Sequence, residues 1–349
     1  MNLLINSNAK QIPLADGSVN CVITSPPYYG LRDYGVDGQI GLEQTPAEYV
    51  TNLVQVFREV WRVLRDDGNV WLNLGDSYSS YKDCKSVPDS LRVGGKSESA
   101  NIIEKGRSVT RNTRVMRSVG LKDKDLIGIP WSVAFALRDD GWYLRQDIIW
   151  AKPNPMPESV KDRCTKAHEY VFLLSKSPRY YYDYEAVLEP ATGYDGRKDT
   201  KMKGSDKYAN GFVPNRQPQT VAVKGHERWP HTLTTGSTGE PHSGYLNPDG
   251  SLRVQSKDGV PARNKRSVWT VSTKPYKGAH FATFPPDLIE PMILAGCPKG
   301  GVVLDPFVGS GTTVMAANQL GRQGIGLDLN LKYLKLAQER VKEVQPILI

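Results

Sequence analysis

Residues 302–330, "VVLDPFVGSGTTVMAANQLGRQGIGLDLN", read as strand, glycine-rich turn, helix and strand in quick succession. The apolar run ends at Asp305, and Gly309, Ser310 and Gly311 occupy the turn. "GTTVMAANQLG" has helical composition, and "RQGIGLDLN" is a second strand ending at Asp328. Glycines between a strand and a helix let backbone approach a ligand closely and leave helix N-terminal amides free. Asp328 follows Gly309 by nineteen residues. That is near the spacing at which a carboxylate accepts from both hydroxyls of an adenosine ribose. A phosphate-binding loop needs Gly-Lys-Ser/Thr, whereas Gly311 is followed by Thr312 and Thr313. The third glycine of a dinucleotide fingerprint is also missing. The stretch points to an adenosine-type cofactor without phosphates.

The same alternation recurs near the start of the chain. "NCVIT" (20–24) is a short strand stopped by prolines. Residues 45–68 space Tyr49, Leu53, Val56, Phe57, Val60, Val63 and Leu64 at helical intervals, with Thr45 as N-cap, Pro46 in the first helical position and Gly68 as the stop. "NVWLNLG" (69–75) is a buried strand. A helix over 130–140 and a strand ending near Trp150 follow, and "EYVFLLSKS" and "YYYD" suggest two more strands, a candidate hairpin. Residues 185–277 show no periodicity, and order returns near Ala282. "KYLKLAQERVKEV" closes the chain as a helix. Strand–helix alternation at both ends of an irregular middle predicts one mainly parallel α/β sheet assembled from both ends. No internal repeat is present.

With 349 residues, 39% hydrophobic and 23% charged, the chain can build a substantial core. No apolar run reaches membrane-helix length, and "MNLLINSNAK" is too short and polar for a secretory signal, so a cytoplasmic location is expected. Cys21, Cys84, Cys164 and Cys297 are scattered, without metal-ligand spacing, and no metal is expected. The net charge is +8. Segment 82–124 carries a net +6 and segment 195–277 a net +8, leaving −6 on the remainder. A neutral-to-acidic body with two basic, Gly/Ser/Pro-punctuated insertions suits a nucleic-acid partner. Segment 82–124 has little apolar content to fold around and is a candidate for disorder without DNA.

The apolar run 20–24 leads into "SPPYYGLRDYG", stiff and aromatic. "SPPY" resembles the catalytic motif of DNA amino-methyltransferases, and "DPFVGSGTT" resembles their S-adenosylmethionine-binding motif. "HFATFPPDL" (280–288) is similar to the family's third cofactor element, and "IIWAKPNPMPESVKDRCTKAHEYVFLLSKS" (148–177) to its later structural motif. Catalytic half, basic region, then cofactor half is a circularly permuted order resembling the family's β class. The likeness covers residues 1–80, 126–185 and 280–345. It implies a Rossmann-like fold with helices on both faces of the sheet. By this resemblance Ser25, Pro26, Pro27 and Tyr28 are catalytic. Asp305, Phe307, Gly309, Ser310, Gly311 and Thr312 shape the cofactor pocket, Asp328 binds the ribose, and His280, Phe284 and Pro285 enclose the methionine end.

An exocyclic amine on a base is planar and a poor nucleophile, because its lone pair is delocalised into the ring. An enzyme must place hydrogen-bond acceptors on its protons and position it in line with the methyl donor. The Ser25 hydroxyl and Pro26 carbonyl can accept, consecutive prolines fix their direction, and Tyr28 supplies a flat face for a flipped base. Serine in the first motif position is found mainly in N4-cytosine members of the family, though adenine N6 stays open. Tyr29, Arg32 and Tyr34 contact the target strand or order their own loop. Trp150, Lys152 and Asn154 line the base pocket or pack. His168 and Glu169 read as structural.

The expected organisation is a catalytic half over 1–184, a DNA target-recognition region over 185–277 with Tyr208, Phe212, Trp229 and Tyr245 among its basic residues, and a cofactor-binding half over 278–349. Double-stranded DNA is the expected partner; a cognate restriction endonuclease and a homodimer stay open. The rival readings are an RNA or protein-glutamine acceptor, a catalytically silent DNA-binding module, and a nicotinamide dehydrogenase.

Overall fold

The computed structural model describes residues 3–79, 121–190, 262–273 and 284–342. Most of the expected insertion 82–124, most of the region 185–277 with its four aromatics, and His280 lie outside these residues. By its internal contacts the chain divides into one unit of Met1–Val187 with Lys265–Ile349 and a second of Leu188–Asn264.

The first unit is built on an eight-stranded sheet. Its strands are β1 (Leu3–Asn6), β2 (Val19–Thr24), β3 (Leu64–Leu74), β4 (Tyr143–Ala151), β5 (His168–Ser175), β8 (Val268–Thr270), β9 (Val302–Asp305) and β10 (Gln323–Asp328). The order across the sheet is β1-β10-β9-β2-β3-β5-β4-β8. Only β5 runs against the others. The helices are α1 (Pro46–Val63), α2 (Ile129–Asp139), α3 (Pro286–Gly296), α4 (Thr312–Gln319) and α5 (Leu331–Lys342). In the second unit the described residues form a two-stranded antiparallel pair, β6 (Glu189–Pro190) and β7 (Ala262–Arg263), tied by an Arg263–Glu189 ion pair of 2.8 Å.

Strand pleating sends alternate residues to opposite faces, and both faces are covered. Val22, Val70, Leu72 and Leu304 pack with α1 and α2, whereas Cys21, Ile23, Trp71 and Val303 pack with α3 and α4. Helix α1 buries Tyr49, Leu53, Val56, Phe57, Val60 and Val63 along one stripe. Its start is a capping box: the Thr45 hydroxyl accepts from the Glu48 amide at 3.1 Å, and the Glu48 carboxylate accepts from the Thr45 amide at 3.3 Å. Asp76, just past β3, accepts from the Gly128 and Ile129 amides and so caps α2 from outside the helix.

Three elements differ from the sequence reading. Helix α1 ends at Val63 rather than running to Gly68, because Leu64 already pairs with Val19 in the sheet. Gly68 lies where the β2–β3 register shifts between Leu64 and Asn69, and a Cβ there would lie 2.6 Å from Leu64 Cγ. "YYYD" is not a strand, since both edges of β5 are taken by β3 and β4. The Tyr181 and Asp183 amides donate instead to the Asp67 and Ala295 carbonyls. Residues 268–270, within the stretch that lacked periodicity, form β8 beside β4.

From the seam between β9 and β2 the chain winds outward both ways, β2 to β3 and β9 to β10. Such a reversal opens a crevice beyond the carboxyl ends of the strands, where α/β proteins bind ligands.

Candidate active site

The crevice is a cleft with about 920 Å³ of empty space, part of it open to solvent. The ends of β1, β2, β9 and β10 deliver Ser7 and Asn8, Ser25 and Pro27, Asp305 to Ser310, and Asp328 to Asn330 to its walls. Thr312, Phe284, Tyr34 and Tyr333 complete it with neighbours. Of the residues expected at the cofactor, Asp305, Phe307, Gly309, Ser310, Thr312, Asp328 and Phe284 line the cleft. Pro285 is the residue before α3.

Each expected residue has a distinct local position. Gly309 and Gly311 have φ of +48° and +81°, a region L side chains rarely adopt. Gly311 has a second constraint, since a Cβ would come 2.9 Å from Ala337 Cβ on α5. Asp328 accepts from the Gly309 amide at 3.1 Å and the Asn330 amide at 2.7 Å, and burial raises its carboxyl above the ordinary range. The Ser310 and Thr312 hydroxyls both receive Arg340 Nη1, at 2.9 and 2.8 Å, so these side chains brace the turn. Asp305 is buried at 2% exposure and fully engaged. It accepts from Thr24 at 2.7 Å, Thr313 at 2.6 Å and the Phe307 amide at 3.1 Å, and burial pushes its pKa up to about 6. Since Thr24 precedes Ser25, this carboxylate ties the glycine turn to "SPPY".

The "SPPY" segment is pinned at several points. The Tyr49 hydroxyl donates to the Pro27 carbonyl at 2.9 Å. The Tyr28 hydroxyl donates to Glu169 Oε2 at 2.7 Å and lies 3.1 Å from Asn73 Oδ1, while Ser25 Oγ sits 3.4 Å away. The Tyr28 ring rests against Gly75, where a Cβ would come within 2.5 Å of its Cε2. Glu169, read as structural from the sequence, thus reaches the "SPPY" segment, and Lys152 forms an ion pair with it. Trp150 is core, with Nε1 donating to the Val271 carbonyl, and Asn154 exchanges hydrogen bonds with Thr273. Tyr29 is buried against Tyr49, and Tyr34 meets Tyr333 edge-on, so both order the loop beside the cleft.

Sequence reading missed Ser7, Asn8, Asn330 and Tyr333 as cleft residues. The first two follow β1, a four-residue strand with too short a pattern to register. The last two sit at the β10–α5 junction, and their only signal was proximity to Asp328 in the chain.

The chemistry of the walls narrows the ligand. Among the described residues the cleft presents two carboxylates and no lysine or arginine. That lining is unsuited to phosphates and fits a cationic ligand with hydroxyl and aromatic groups.

Known proteins resemble the chain in sequence and in fold. The N6/N4 methyltransferase family model, described as DNA methylase, matches residues 19–339. The chain is 42% identical over 329 residues to the Type II methyltransferase M.XycI of Xanthomonas campestris pv. cyanopsidis, covering 94% of this chain and 83% of the relative. It is 42% identical over 323 residues to M.SmaI of Serratia marcescens, covering 92% and 84%. Among solved structures, the cytosine-N4-specific PvuII DNA methyltransferase superposes with a TM-score of 0.55 at 16% identity, covering 97% of this chain and 89% of that one. TTHA0409 of Thermus thermophilus, complexed with S-adenosyl-L-methionine, gives 0.53 at 18% identity, covering 98% and 94%. The chain belongs to the N6/N4 DNA methylase family, and its fold is the Rossmann-like fold of these enzymes. No helix among the described residues is long and apolar enough to cross a membrane.

Proposed function

We propose that this S-adenosylmethionine-dependent DNA methyltransferase methylates N4 of cytosine, with residues 25–28 as its catalytic motif and the cleft as its cofactor site. The observation that carries the cofactor site is the cleft's composition, acidic and aromatic without a basic side chain among the described residues. Asp328 accepts the ribose hydroxyls, while Phe284 and Phe307 supply apolar surface. When bound, S-adenosylmethionine supplies a methyl group on a positively charged sulfur. The chain's own residues do the rest. The Ser25 hydroxyl and the Pro26 carbonyl accept from the target amine, which favours a tetrahedral nitrogen and offsets charge as it builds. Tyr28 offers a flat face to the extruded base. Serine at position 25 is the feature that favours cytosine. The basic residues of 185–277 grip the DNA phosphates, so affinity falls with salt, and residues 278–349 complete the cofactor half.

The test is a nucleoside assay. Unmethylated DNA is incubated with enzyme and S-adenosylmethionine, digested to nucleosides and analysed by mass. N4-methylcytosine is expected, whereas N6-methyladenine would show that Ser25 does not set the target base. Removing the Asp328 carboxylate addresses the cofactor site. Asp328→Ala is expected to weaken S-adenosylmethionine binding by roughly 10- to 100-fold, the worth of a lost hydrogen bond to a charged acceptor, with DNA binding unchanged. Calorimetric titration and a DNA shift assay on the same sample check both halves.

A further inference from the structure

We propose that Glu169 is a positioning residue for methyl transfer, acting through Tyr28 to hold Ser25 as a hydrogen-bond acceptor. The proposal rests on the reading of Ser25 as the group that receives the target amine.

A hydroxyl poses a problem that a carboxylate in the same place would not. Serine carries one proton and two lone pairs, so it can present either a donor or an acceptor to a neighbour. The target amine is itself a donor and needs an acceptor, which requires the serine proton to be directed elsewhere. The structure provides the outlet. Ser25 Oγ donates to the Tyr28 hydroxyl at 3.4 Å, and that hydroxyl donates to Glu169 Oε2 at 2.7 Å. The whole chain of donors points one way and ends on a charge. Hydrogen bonds arranged in series polarise one another, so the carboxylate at the far end enriches the lone pairs on Ser25.

The end of the chain is firmly held. Lys152 pairs with the other Glu169 oxygen, with both side chains 17% exposed, and its Nζ lies 4.2 Å from the centroid of the Trp150 ring. Asn73 Nδ2 donates to Glu169 Oε2 at 3.3 Å and to the Tyr170 carbonyl at 3.1 Å. Burial, and next the Glu169 charge, push the Tyr28 phenol well above its usual range, so it remains a donor. Glu169 and Lys152 sit on β5 and just beyond β4, in a part of the chain separate from both motifs.

Single-turnover kinetics on full-length enzyme with DNA and S-adenosylmethionine test the proposal in a set of single and double variants. Tyr28→Phe keeps the flat ring and the Lys152–Glu169 pair and removes the hydroxyl that links Ser25 to Glu169 and lies beside Asn73 Oδ1. Glu169→Gln keeps the shape and removes the charge. Each is expected to slow the methylation rate about tenfold or more, with KM for both substrates within twofold of wild type. The double variant should be no slower than the slower single one, because both cut one chain. In a Ser25→Ala background, adding Tyr28→Phe should cost nothing further. Wild-type rates in Tyr28→Phe and Glu169→Gln beside a slow Ser25→Ala would overturn the role of Glu169 alone. A wild-type rate in Ser25→Ala would overturn the reading of Ser25 itself. Losses that multiply in the double variant would show two separate roles and also defeat the proposal.

Discussion

Gly75→Ala is expected to lower the methylation rate by roughly two orders of magnitude, the scale on which an ångström of misplacement costs catalysis. The reason is steric and local. A Cβ at residue 75 would lie 2.5 Å from Tyr28 Cε2, closer than real Cβ atoms come, and 3.0 Å from its Cδ2. The ring has nowhere convenient to go. Its hydroxyl is held by Glu169, and its backbone follows Pro27, whose carbonyl receives the Tyr49 hydroxyl. Gly75 does not have a positive φ, so alanine adds no backbone strain and the effect reports the ring alone. Fluorescence titration with S-adenosylmethionine should give the wild-type affinity, because the cleft does not include Tyr28 among its lining residues. A rate within threefold of wild type would remove Tyr28 from the base-gripping role.

Asp305→Ala is expected to destabilise the protein by about 2–4 kcal/mol, since buried donors left without acceptors each cost about 1–3 kcal/mol and release of a buried charge offsets part of that. Thr24, Thr313 and the Phe307 amide would all lose their acceptor at the seam between β2 and β9. A urea midpoint measured at unchanged m-value checks it. Asp305→Asn isolates the charge. Burial places the native pKa at about 6, above the ordinary carboxyl value of 3.8. Between these values the folded protein binds a proton that the unfolded chain does not. The group's contribution to stability is therefore fully present below about pH 4 and is lost as pH rises through 6. Going from pH 7 to pH 5, wild type should gain about 1 kcal/mol relative to Asp305→Asn. A gap that stays constant over that range would place the native pKa outside it.

The elements that sequence reading located best share a property: their patterns complete themselves within one element. Helix α1 shows its buried stripe and Pro46 within its eighteen residues and its N-cap, Thr45, directly before them. The β9–turn–α4–β10 run shows two strand ends and three glycine or serine positions in sequence, so the loop and Asp328 were visible before any neighbour was known. The elements that escaped are completed by partners elsewhere. β1 and β8 have four and three residues, and each becomes a strand because β10 or β4 offers an edge. "YYYD" has the right composition and no edge to join.

The same division runs through the site. The resemblance placed a catalytic motif and a cofactor turn at opposite ends of the sequence, and the strand–helix alternation at both ends implied that one sheet joins them. Residue types indicated a ligand without phosphates, and the resemblance to DNA amino-methyltransferases implied an acceptor pair at Ser25 and Pro26. The tertiary structure decided what those side chains touch. Asp305, expected beside the cofactor, spends its oxygens on Thr24, Thr313 and a backbone amide 2 to 281 positions away in the chain. Glu169, noted beside His168 and read as structural, meets Tyr28 across 141 residues because β5 lies next to β3 in the sheet. Hydrogen-bond partners are chosen by distances of about 3 Å, and no pattern along the chain encodes which of many distant donors the sheet order will bring that close.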